Sequence, residues 1–248
     1  MGLIAQIKEY FFARRMKRIE KAGKLLKNPK AIREDRWAAL EYLAETVPEA
    51  DYAIPHLLQR FEYSLEHGIN DTREKELALK GIVRFGEASV PFVRSWLQET
   101  SRIAWPIKVL KELGKEDAVI ECLKNALNFT DVAFNQMAVD KNYDILCYLR
   151  EYQIPDSVAQ IAHFLQDADE RVRFAAAELL IGQQTEQIRD HLTPFLKDDS
   201  SENRRIRQAV IQVFVDRNWK VANPTDFPDG RVADGVYINS QGLIEMRA

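Results

Sequence analysis

Residues that carry chemistry are scarce in this chain. It has two cysteines, Cys122 and Cys147, and four histidines among 248 residues. Both cysteines sit inside apolar helical patterns, without CxxC spacing, so they are expected to be buried, reduced thiols of a cytoplasmic protein. His56, His67, His163 and His191 fall in separate segments, and none has a ligand-type partner four residues away, so no metal centre is expected. The ten glycines are scattered at turn positions, which excludes a glycine-rich phosphate loop. No GxSxG pattern and no Cys/His/Asn arrangement is present. No window approaches 18 uninterrupted apolar residues, so a membrane span is not expected. Charges arrive already at Lys8 and Glu9, unlike a secretory leader, and Gln6 stands where a myristoylation motif after Gly2 needs Ser or Thr.

What the chain does have is hydrophobic content, 46%, and charge, 29%. The net charge is only −3, without the basic excess of a nucleic-acid-binding domain. That total hides an asymmetry. Residues 1–30 hold nine Lys and Arg against two Glu, a net of +7, which leaves −10 for the rest.

Helical periodicity runs along most of the chain. Residues 3–27 read as one long basic helix with an apolar stripe of Leu3, Ile4, Ile7, Phe11, Ile19 and Leu26, stopped by Asn28-Pro29. Helix pairs follow at about 31–45 with 52–66, 72–84 with 88–99, 102–113 with 116–127, 139–151 with 155–165, and 169–181 with 185–196, then a last helix at 201–217. Gly68 is read as ending the second helix of the first pair, and Gly86 and Gly114 as turns. Residues 128–138, with Phe129, Phe134 and Met137, show no period and read as an inter-repeat or binding loop. After Trp219, turn dipeptides precede two short apolar runs flanking 239–242, which predicts a β-hairpin or extended tail covering the last helices with Val236, Ile238 and Leu243.

The first helices overlay. Arg36-Trp37-Ala38-Ala39, Lys75-Glu76-Leu77-Ala78, Arg173-Phe174-Ala175-Ala176 and Arg207-Gln208-Ala209-Val210 each begin with a cation, followed by small residues that let helices approach closely. The steps are 39 residues from Arg36 to Lys75 and 34 from Arg173 to Arg207. Residues 167–182 carry the pattern in its fullest form: Asp167 or Asp169 ahead of the helix, Val172-Arg173, Ala175-Ala176, Leu179-Leu180 and Gly182. This segment resembles the HEAT repeat, in particular the HEAT-like repeats of the phycobilisome-lyase type. The likeness recurs at 201–217 through Ile206-Arg207, is looser at 31–66 and 72–100, and is one of periodicity at 102–165. It implies an all-α chain, a right-handed α-solenoid or superhelix of about five helix pairs, with second helices lining a concave face. The expected organisation is a capping helix at 1–28, a solenoid at 29–219 and a non-helical tail at 220–248.

Enzymes of this architecture set patterns that this chain does not meet. The di-iron hydroxylase type needs His-Glu dipeptides, and none of the four histidines precedes Glu. The alkylated-base glycosylase type uses a tryptophan-rich motif and a basic groove; Trp96 and Trp105 stand alone in an acidic body. Bilin lyase activity is allowed by the repeat type, but no residue argues for it. The expected function is therefore a non-catalytic, cofactor-free scaffold or adaptor binding another protein or peptide, with no specific nucleic acid. The lyase, the glycosylase and a peripheral membrane or assembly factor stand as alternatives.

Two surfaces could carry that function. In 88–99, Val90, Val93 and Leu97 set the buried direction, and at 100° per residue Ser95 and Glu99 face the other way. The same wheel selects Gln59 and Tyr63, Glu121 and Asn125, Gln160 and His163, and Asp190 and Lys197. The second surface is the basic first helix, with Arg14, Arg15, Lys17, Arg18 and Lys21. It reads as a cap on the first repeat, as a dock for an acidic partner, or as a helix lying on an anionic membrane surface.

Overall fold

The computed structural model describes residues 3–129 and 135–246; the middle of the 128–138 stretch, with Phe134, lies outside the described residues. The chain divides into two compact units, 1–126 and 127–248. Each is mainly helical, and the second ends in a small antiparallel sheet.

The first unit opens with α1 (Leu3–Lys27), followed by α2 (Arg33–Glu41), α3 (Ala50–Leu58), α4 (Gly68–Val83), α5 (Val90–Glu99), α6 (Ala104–Glu112) and α7 (Glu116–Ala126). Two layers form. The first helices α2, α4 and α6 pack in succession, and so do the second helices α3, α5 and α7. The second half of α1 lies on α2 and α3, burying Ile19, Ala22 and Leu26. Gly23 belongs to this contact, because a Cβ there would stand 2.2 Å from Nδ1 of the His56 ring on α3. Gly81, inside α4, does the same for the first layer: a Cβ there would meet the Ala44 Cα at 2.7 Å. A residue without a side chain is what allows the close approach.

The second unit contains α8 (Gln136–Leu149), α9 (Val158–Ala162), α10 (Glu170–Ile181), α11 (Ile188–Leu192) and α12 (Arg204–Asp216). Here α10 packs between α8 and α12. Three strands follow: β1 (Arg231–Ala233), β2 (Val236–Ile238) and β3 (Ile244–Met246), in the order β1-β2-β3. The expected hairpin is β2–β3, registered Val236 to Met246 and Ile238 to Ile244, and β1 adds a third strand. Gly242 takes φ +82° in its turn, and β3 packs on α12 with Ile244 buried.

Two sequence readings change. Gly68 begins α4 instead of ending the preceding helix. The second helices are also shorter than their apolar periods suggest, because α3, α9 and α11 each tighten into a 3-10 turn at 59–62, 163–166 and 193–196. Gly86 and Gly114 are left-handed, φ +57° and +67°, as turn glycines should be.

Two of the four overlaid cations share a structural task. Arg36 and Arg173 are both buried, and each donates from Nη1 to the carbonyl five residues before it: Arg36 to Ala31 at 2.8 Å, Arg173 to Ala168 at 3.0 Å. Each thereby ties its helix to the turn that leads into it. Lys75 is buried at the matching place in α4, and Arg207 is half-buried in α12. A second bond also recurs. Arg84 after α4 donates to Leu43 O and Val47 O, and Arg217 after α12 donates to Ile181 O at 2.7 Å and Gln183 O at 3.0 Å. Each arginine satisfies carbonyls at the end of the preceding first helix, where helical partners have run out.

Candidate functional site

The densest polar chemistry is a buried ion cluster in the first unit. Glu74 on α4 is 1% exposed and Arg60 is fully buried. Arg36 Nη2 reaches Glu74 Oε1 at 2.9 Å, and Arg60 Nε reaches Glu74 Oε2 at 2.7 Å. Arg60 Nη2 also meets Asp71 Oδ1 at 2.7 Å, and Lys75 Nζ meets Asp71 Oδ2 at 2.7 Å. Three cations thus share two carboxylates, and every carboxylate oxygen accepts from inside the protein. Burial alone would raise the Asp71 carboxyl. The bonds from Lys75, Arg60 and the Leu65 N–H outweigh burial and hold it below the ordinary carboxylate range. The Glu74 hydrogen bond is the main cause that holds the Arg36 guanidinium above its ordinary value. With its valences closed in this way, the cluster joins α2, α4 and residues 59–62 and offers no group to a substrate.

Among the described residues, no group of three or more His, Cys, Asp or Glu could hold a metal ion. Cys122 and Cys147 are free, and burial pushes both thiols up, which keeps them from the thiolate a nucleophile needs. Trp105 stacks on Phe61 at 5.8 Å with Lys108 over its ring, so it is engaged within the first unit. The larger cleft, about 720 Å³, is lined by Arg204, Arg207 and Arg231 but also by Asp198, Asp199 and Asp234, and so carries no net charge for an anionic ligand. The smaller, about 370 Å³, lies over α2 and α4 beside Trp37 and Glu74.

The positions selected by the helical wheel divide into two sets. Ser95 and Glu99 on α5 and Glu121 and Asn125 on α7 are exposed on two helices that pack together, and Arg94 bridges to Glu121 at 2.8 Å. Gln59 is half-buried. Tyr63 departs from the outward set: its hydroxyl donates to Leu26 O at 2.7 Å, and its ring lies 4.5 Å from the Arg60 guanidinium. The reason is local. After Leu58 the backbone is 3-10 and then extended at Tyr63, so a wheel of 100° per residue no longer applies. In the second unit Gln160 is half-buried and His163 is exposed, its ring 5.7 Å from those of Phe129 and Phe164. Asp190 and Lys197 are exposed, and Lys197 pairs with Asp226.

The basic helix differs along its length. Arg15 pairs with Glu49, Arg18 lies 4.0 Å over the Tyr42 ring, and Phe12 meets Tyr52 edge-on. Those contacts continue the side on which Ile19, Ala22 and Leu26 are buried. Ile7, Tyr10 and Phe11 lie in the first half of the helix, ahead of that contact, and are 47%, 63% and 60% exposed. The single apolar stripe expected for this helix is therefore covered along its second half and open along its first. Arg14, Lys17 and Lys21 are exposed and make no ion pair among the described residues. No helix is long and apolar enough to cross a membrane among the described residues. In comparisons with known proteins, no family model, no curated protein and no solved structure matches this chain.

Proposed function

We propose that this protein is a non-catalytic, helical-repeat scaffold that binds a polypeptide along the outward face of its second helices. The observation that carries the reading is the exposed polar set Ser95, Glu99, Glu121 and Asn125 on the adjoining helices α5 and α7. Hydroxyl, amide and carboxylate groups side by side suit the backbone amides and basic side chains of a polypeptide, and repel a phosphate backbone. The HEAT-like pattern of 167–182 supports the same reading, since a superhelix of such pairs offers its second helices as a concave surface.

The test is site-specific photocrosslinking. Full-length protein carrying a photoreactive phenylalanine at position 95 or 125 should crosslink to one and the same polypeptide in extracts of the source cells. The Glu99→Lys/Glu121→Lys variant should lose about tenfold or more in crosslinking yield. Undiminished crosslinking by that variant, or crosslinks to unrelated proteins from each position, would remove the assignment.

A further inference from the structure

We infer that the open first half of α1 docks the protein on an anionic lipid bilayer. This is independent of the second-helix reading and rests on one arrangement: an exposed apolar tip, Ile7, Tyr10 and Phe11, followed along the helix axis by the exposed cations Arg14, Lys17 and Lys21. Among the described residues, none of the three cations is taken up by an ion pair, and Tyr10 and Phe11 pack edge-on against each other in the open, 5.8 Å between centroids.

The order along the axis identifies the occupant. At about 1.5 Å per residue, Arg14, Lys17 and Lys21 stand roughly 5, 9 and 15 Å behind Phe11. The headgroup layer of one leaflet is about 5–8 Å deep. Apolar and aromatic side chains below that layer, with cations level with and above the phosphates, match a helix that enters the surface tip first and obliquely. The two acids of α1 face away from Ile7 and Phe11, and only Glu20, about 60° from Lys17, approaches the cations. Glu9 lies about 160° round the helix from Ile7, and Glu20 about 140°. The whole helix, Leu3–Lys27, carries eight cations against those two acids, while the chain beyond residue 30 carries −10. An anionic surface therefore attracts this helix and repels the acidic remainder, leaving α1 as the element that makes contact. The covered second half, with Ile19, Ala22 and Leu26, keeps the helix attached to the first unit while its tip is engaged.

The experiment is flotation of the full chain with vesicles of phosphatidylserine and phosphatidylcholine, against vesicles of phosphatidylcholine alone. The protein should float with the first and not the second, and less as salt is raised. Arg14→Gln/Lys17→Gln/Lys21→Gln should weaken partitioning on the order of 100-fold, and Ile7→Ser/Phe11→Ser about tenfold or more. All five positions are exposed, so circular dichroism and melting should be unchanged. Removing three exposed cations elsewhere (Arg73→Gln/Lys80→Gln/Lys108→Gln) should leave flotation intact. Three results would overturn the proposal: no flotation with anionic vesicles, equal loss from the Arg73/Lys80/Lys108 set, or capture of an acidic polypeptide by α1 without vesicle binding.

Discussion

Arg36 and Arg173 occupy the same place in their helices, yet the two units surround them differently. Both donate to the carbonyl five residues back. Sideways, Arg36 meets a buried carboxylate, Glu74, whereas Arg173 Nε meets the neutral Asn203 Oδ1 at 3.0 Å, with Glu202 more distant at 3.8 Å. The bond along the chain is common to both units, because each arginine closes the turn that leads into its own helix. The bond across to the next helix belongs to the individual unit. In the first unit that lateral contact became a cluster of three cations and two acids, which closes only when all five members are present.

The comparison predicts unequal losses. Glu74→Gln leaves Arg36 and Arg60 buried without their shared carboxylate and should destabilise the first unit by about 3–5 kcal/mol. Asn203→Ala removes the acceptor of Arg173 Nε and the donor to Asp198 Oδ2, both part-buried and within reach of water, and should cost the second unit about 1.5–3 kcal/mol. Hydrogen exchange read segment by segment separates the two, since each substitution should speed exchange in its own unit; equal losses would dissolve the distinction.

Glycine gives the next contrast. Gly81→Ala drives a methyl against the Ala44 backbone and should cost about 1–3 kcal/mol in thermal or urea unfolding. Gly182 has φ −70°, and its nearest neighbours to a new Cβ are carbonyls at 3.5 Å, so Gly182→Ala should be neutral or stabilise by up to about 1 kcal/mol.

The smallest effect is one of pH. Burial lowers the His56 pKa, partly opposed by Glu20, so the unfolded chain binds this proton more readily than the folded one. His56 therefore contributes stability above pH 6.5 that is lost as pH falls from there toward its folded value. His56→Gln should flatten that slope in the first unit. Asp71 in the first unit and Asp169 and Asp198 in the second are all held below 3.8, so their contributions are present above that pH and both units should weaken together as it falls further.

Much of this was legible before any coordinates. The spacing of Arg36, Lys75, Arg173 and Arg207 marks a recurrent cation, because local spacing sets the position within a helix; its burial at each place came only with the tertiary structure. Glu74 was not legible. It is 38 residues from Arg36 and 14 from Arg60, and no local period connects them. Ser95, Glu99, Glu121 and Asn125 were correctly placed outward because α5 and α7 are regular helices. Tyr63 was not, because a 3-10 turn changes the angle per residue.

The sequence by itself determined which segments are helical, where glycine turns them, and that positive charge gathers in the first thirty residues. Those are properties of near neighbours: periodicity, backbone freedom and composition. Which arginines share a carboxylate, and which part of the apolar stripe of α1 stays open, only the tertiary structure decided. Both depend on what a second helix, dozens of residues away, brings to within a hydrogen bond or a van der Waals contact.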